Sequence, residues 1–98
     1  MEKKANRYLL TLQQLASIRE ENKTDDILEL EFTNHDELFV IISAIKNKQL
    51  FNTENESIEF ALGLKLFSEV LLKNRKHPLF EELGSQFGEF MKKLKAKP

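Results

Sequence analysis

The chain has 98 residues, a formal net charge of −1, and neither cysteine nor tryptophan. That length suits one domain with one modest core, burying about 65% of the surface its unfolded form exposes. The missing cysteines exclude a disulfide framework and thiolate chemistry. The near-neutral balance disfavours broad electrostatic attraction to nucleic acid or to a membrane surface. The charge is uneven: residues 1–62 hold twelve acids and seven bases, residues 63–98 four acids and eight bases. An acidic front half beside a basic rear half accounts for this without any partner.

Residues 1–7 are polar and are expected to fray. Lys3, Lys4 and Arg7 look like the head of a signal peptide, but Leu9-Leu10 gives way at once to Thr11, Gln13 and Gln14. No stretch reaches the ~20 apolar residues of a membrane span, so a cytoplasmic protein without a membrane segment is expected. From Tyr8 two patterns overlap. Tyr8, Leu10 and Leu12 alternate as on a strand, whereas Leu9, Leu12, Leu15 and Ala16 fit a helical stripe; a strand over 8–16 is the preferred assignment. Residues 19–26 carry no apolar side chain and read as an exposed connection. A clear strand comes next, over 27–33, with Leu28, Leu30 and Phe32 towards a core and Glu29 and Glu31 towards water.

Asn34, with Glu37 three residues on, fits an N-cap for a helix over 35–48. His35, Asp36 and Glu37 would then occupy its first turn, where carboxylates suit the helix dipole. Leu38, Ile41, Ile42 and Ile45 form its core stripe; the β-branched run Val40-Ile41-Ile42 must be held by packing. Thr53 and Glu56 have capping-box spacing, and His77-Pro78 marks a stop, which predicts a long helix over 54–76. A last helix is expected over 78–95, opened by Pro78 and ended among Lys92, Lys93, Lys95 and Lys97. Gly84 and Gly88 sit four apart on its flank, a spacing that permits close approach of another backbone. The order of elements predicts a single α+β domain over 1–98, an N-terminal antiparallel hairpin packed by three helices (ββααα).

The long helix carries more apolar surface than one neighbour can cover. Phe60, Leu64, Phe67 and Leu71 gather on one side as core. Lys65, Glu69 and Lys73 form an i,i+4 ladder of the kind that faces water, yet Leu62 and Leu66 fall inside that polar sector. Either the third helix folds over these two leucines or another chain does. Burying them across an interface would contribute about 3–5 kcal/mol before association costs. A lone two-stranded hairpin also leaves its edges open, which points the same way.

Two blocks, residues 28–39 (LELEFTNHDELF) and residues 60–80 (FALGLKLFSEVLLKNRKHPLF), resemble the small bacterial proteins grouped as domain of unknown function 3861. The likeness runs from about Asn6 to Leu94. It implies bacterial origin and a compact stand-alone domain, and it implies no activity.

The chemistry-bearing residues are sparse. His35 and His77 sit at helix boundaries. His35, Asp36 and Glu37 are adjacent, so they fan out rather than converge on a metal. None of the serines lies on a Gly-flanked turn, and three glycines form no phosphate loop. Glu29/Glu31, Glu54/Glu56 and Glu81/Glu82 are paired carboxylates, and the strand face that Glu29 and Glu31 share is the wet one. No catalytic residue, metal ligand or cofactor is therefore assigned, and enzyme activity is not expected. The expected function is a non-enzymatic protein-interaction or regulatory module acting as a homodimer. Leu62 and Leu66 are the candidates for self-association, and Lys73, Arg75, Lys76 and His77 for an unknown protein partner. The alternatives are a small-ligand domain using a pocket between hairpin and helices, and a weak nucleic-acid binder through 73–77 and the terminal lysines. The phenylalanines follow core periodicity rather than standing exposed between bases, which disfavours nucleic acid.

Overall fold

A computed structural model describes residues 5–98. The order is ββααα: β1 (Asn6–Gln13), β2 (Ile27–Asn34), α1 (Leu38–Lys48), α2 (Glu54–Lys73) and α3 (Leu83–Ala96), with single 3₁₀ turns at Glu20–Asn22 and Pro78–Phe80. The α+β class expected from the sequence is the one observed. The backbone divides into two compact units, Met1–Asp36 and Glu37–Pro98.

In the first unit, β1 and β2 pair antiparallel from Asn6↔Asn34 to Gln13↔Ile27. The segment whose two patterns overlap is thus a strand as far as Gln13, whereas residues 14–16, expected to continue it, lie outside β1. The expected frayed stretch falls partly on residues 1–4, outside the described residues, while Asn6 and Arg7 belong to β1. Period-two alternation puts Tyr8, Leu10 and Leu12 on one face with Phe32, Leu30 and Leu28 opposite them. Tyr8 stacks on Phe32 with ring centroids 5.4 Å apart. Two donors fix the Asp36 carbonyl at the base of the hairpin: Asn6 Nδ2 at 3.1 Å and the Tyr8 hydroxyl at 3.0 Å. β1 stops at Gln13. The next side chain turns across the connection, where Gln14 Oε1 accepts from the Thr24 N–H at 2.9 Å.

The segment between strand and helix differs from its prediction. Asn34 is not an N-cap. It is the last residue of β2, buried, and its Oδ1 accepts from the Asp36 N–H at 2.9 Å. Asparagine closes such local turns as readily as it caps helices, so the spacing fits both. His35 and Asp36 thus lie before the helix, which begins at Leu38 after Glu37 without a side-chain cap. The Asn34 Nδ2 is buried without a hydrogen-bond partner, which offsets part of what the turn contributes.

In the second unit, α1 packs along α2. Leu38 and Ile45 are buried and Ile41 and Ile42 half-buried, as the stripe predicts. Gln49 ends α1 in the left-handed region (φ 52°, ψ 46°). α2 starts as predicted, with Thr53 Oγ1 accepting from the Glu56 N–H at 3.1 Å. Its buried stripe is made of small residues: Ser57 is 2% exposed and Ala61 1%, with Ser68 and Leu71 continuing the line. Side chains this short leave room for a neighbouring helix to come close. The expected core face of Phe60, Leu64, Phe67 and Leu71 is displaced accordingly. Leu71 is buried, Phe60 and Leu64 are half-buried, and Phe67 is partly exposed.

The phenylalanines instead link α2 to the C-terminal stretch of the chain. Phe60 meets Phe90 at 6.3 Å, and Phe67 meets Phe80 at 6.2 Å and Phe87 at 5.8 Å, all edge to face. Lys48 Nζ donates to the Lys97 carbonyl and ties the end of α1 to the end of α3. α2 stops at Lys73, short of the predicted 76, where the Asn74 side chain donates to the Val70 carbonyl at 2.7 Å. His77 is extended, as a residue before proline should be. Pro78 opens the 3₁₀ turn rather than α3, which begins five residues later than predicted, at Leu83. A side chain added at Gly84 or Gly88 would meet nothing within 4 Å, so the close backbone contact their spacing permits is not made.

Two substitutions test this account. Thr53→Ala should lower unfolding free energy by about 1 kcal/mol with an unchanged urea m-value, and Thr53→Ser should restore it. Ala61→Leu should cost about 1–3 kcal/mol by overpacking the stripe under α1, although it adds apolar surface.

Candidate interaction surface

Exposed apolar side chains lie on the hairpin and its connection, and in the helical unit at Phe39, Val40 and Leu79 as well. Alternation alone predicts that the Tyr8–Phe32 face of the hairpin meets a core along the whole length. Tyr8, Leu10 and Phe32 near the base are half-buried, but Leu12 is 64% exposed and Leu28, directly opposite, 61%. Leu30 is exposed as well, so two of the three core positions assigned to β2 face solvent. Beyond Leu12 the connection displays Leu15 and Ile18, both almost fully exposed. On the other face Leu9 is 58% exposed beside Glu31. Arg7 Nη2 reaches Glu31 Oε1 at 3.0 Å; both side chains are exposed, so the ion pair contributes little to stability. Both outer edges of the two-stranded sheet lack a further strand among the described residues.

The candidates on the helices separate into two groups. Leu62 and Leu66 are half-buried, on a side of α2 away from the Ser57–Ala61–Ser68 stripe. The ring contacts of α3 are with Phe60 and Phe67. The exposed apolar residues of α2 are Phe67, Val70 and Leu72. Lys73, the last residue of α2, and Arg75, Lys76 and His77 on the turn after it are all exposed. His77 serves that turn through Nδ1, which accepts from the Leu79 N–H at 3.1 Å, and its ring lies 5.9 Å from Phe80. The terminal lysines are at the far end of α3, whose 14 residues span roughly 20 Å. The basic turn and the lysine tail are therefore not one patch.

A groove of about 480 Å³ runs between α2 and the Pro78–Met91 segment, floored by Leu71, Phe80, Phe87 and Met91. Gly84 and Gly88 form part of its wall. Lys65, Arg75 and Glu81 line it too, so charges of both signs border it and no single-sign anchor converges on its floor. Among the described residues no group of three or more His, Asp or Glu is placed to hold a metal ion. Among them, too, no helix is long and apolar enough to cross a membrane.

The molecule is thus a small α+β protein with a ββααα order and an apolar hairpin left largely in solvent. The family model for domain of unknown function 3861, a domain of unknown function with a solved structure, matches residues 6–96. The chain belongs to that family. It is also similar to a protein of unknown function from Pectobacterium atrosepticum, known from a crystal structure. The two are 36% identical, with a TM-score of 0.79 over 93% of this chain and 97% of the other. No curated protein matches it.

The open leucines are not visible in the alternation, which assigns residues to faces but not faces to partners. Leu12→Gln with Leu28→Gln should change the unfolding free energy of the protomer by no more than about 0.5 kcal/mol, since neither side chain is buried. The same pair of changes should reduce the fluorescence of a bound apolar dye.

Proposed function

We propose that the protein is a cytoplasmic, non-enzymatic protein-interaction module that works as a homodimer. The observation that carries this is the pair Leu12 and Leu28, opposed across the ladder and exposed on the face that carries Tyr8 and Phe32. A two-stranded hairpin is marginal in water and gains from further strands or a covered face. Contiguous exposed apolar surface is a common mark of a protein contact site. Leu62 and Leu66, being half-buried, offer less than the hairpin does. The turn with Lys73, Arg75, Lys76 and His77 is exposed and basic, which suits it to an acidic protein partner.

Nucleic acid is less well supported. The basic turn and the lysine tail are separated, and Phe60, Phe67, Phe87 and Phe90 contact one another instead of standing free for bases. The groove beside α2 favours small-ligand binding only weakly, because its border mixes Lys65, Arg75 and Glu81. Static light scattering at high micromolar concentration should give twice the 11.5 kDa of one chain. A monomer under those conditions would overturn the homodimer.

A further inference from the structure

We infer that the two copies join through β1, edge to edge across a two-fold axis centred on Leu10, to make one four-stranded antiparallel sheet in the order β2-β1-β1-β2. The inference rests on the proposed homodimer and names its interface. Both hairpin edges are open among the described residues, so charge decides between them. β2 carries Glu29 and Glu31. When a strand pairs antiparallel with its own copy, facing residue numbers sum to twice the central one. Every β2 register centred on Glu29, Leu30 or Glu31 therefore sets at least one carboxylate directly against another, and like charges so placed are unfavourable. β1 has no charged side chain from Tyr8 to Gln13.

The Leu10-centred register uses almost all of β1. Tyr8 faces Leu12 of the second copy, Leu10 faces Leu10, Leu9 faces Thr11, and Arg7 faces Gln13. Paired residues in an antiparallel ladder share a face, so the apolar row of Leu28, Leu12 and Leu10 continues without a break into the second hairpin. Main-chain hydrogen bonds along the edge supply the rest, as in other strand-addition contacts. The arrangement also limits itself. The strands left outermost are the two copies of β2, whose Glu29 and Glu31 discourage further pairing. A closed dimer results rather than an open ladder.

Leu9 and Thr11 are exposed, and the chain has no native cysteine, so single thiols can be placed there without competition. Leu9→Cys and Thr11→Cys variants, mixed in equal amounts and mildly oxidised, should yield the mixed disulfide well above the half that random pairing gives. Leu9→Lys with Thr11→Lys provides the second arm. Within the hairpin these positions face Glu31 and Glu29, so the fold should be kept, read as unchanged circular dichroism. Across the two-fold axis they charge the edge, and the dimer dissociation constant should rise at least tenfold. A wild-type monomer would remove both the homodimer and this interface. A wild-type dimer that gives no excess of mixed disulfide, or that persists in the folded double-lysine variant, would overturn the β1 interface and leave the homodimer standing.

Discussion

Antiparallel pairing of β1 with β2 in the Asn6↔Asn34 register decides where every side chain of the first unit goes. It places six apolar or aromatic side chains on one face and puts both strand glutamates on the other. In that register Asn6 and Tyr8 both donate to the Asp36 carbonyl at the base of the hairpin. A shift by one residue would exchange the faces and expose the entire apolar set. The ladder is thus well specified in register and poorly provided with neighbours. The half nearest Asp36 is half-buried and the half nearest the connection is wet. The interaction role proposed above rests on that imbalance more than on any single residue.

The helical unit shows how much depends on side-chain size. α2 presents serine, alanine and serine where a core helix usually presents leucine, and α1 lies along it. Displaced from that line, Phe60 and Phe67 find their contacts with Phe80, Phe87 and Phe90. The Phe60–Phe90 and Phe67–Phe87 rings, with centroids about 6 Å apart, join α3 to α2 through side-chain tips. The groove beside Gly84 and Gly88 is the space this arrangement leaves.

Much of this fold is legible in the residues. Alternation in 27–33 announces β2, and Thr53 with Glu56 announces the start of α2 to the residue. Asn34 is where local chemistry misleads, because an asparagine oxygen two or three residues before a backbone N–H serves a turn or a cap equally well. The core of α2 is hidden for a different reason. Apolar periodicity weights large side chains, whereas Ser57, Ala61 and Ser68 are buried because they are small. At the end of α2, Asn74 reaches back to Val70 and ends the helix before the His77-Pro78 stop can act. The candidate surface is half legible: unpaired edges and surplus apolar surface follow from composition and order. Which surface remains open does not, since Leu62 and Leu66 are half-buried while Leu12 and Leu28 are not.

Tyr8 is the chain's single tyrosine, and there is no tryptophan. Its ring lies on Phe32 and its hydroxyl on the Asp36 carbonyl, all within the hairpin unit. Intrinsic ultraviolet emission therefore arises almost wholly from one strand, and the three helices are spectroscopically quiet beside it. Far-ultraviolet ellipticity, dominated by those helices, samples the other unit. The two unlabelled signals would follow the melting of each part separately in one sample.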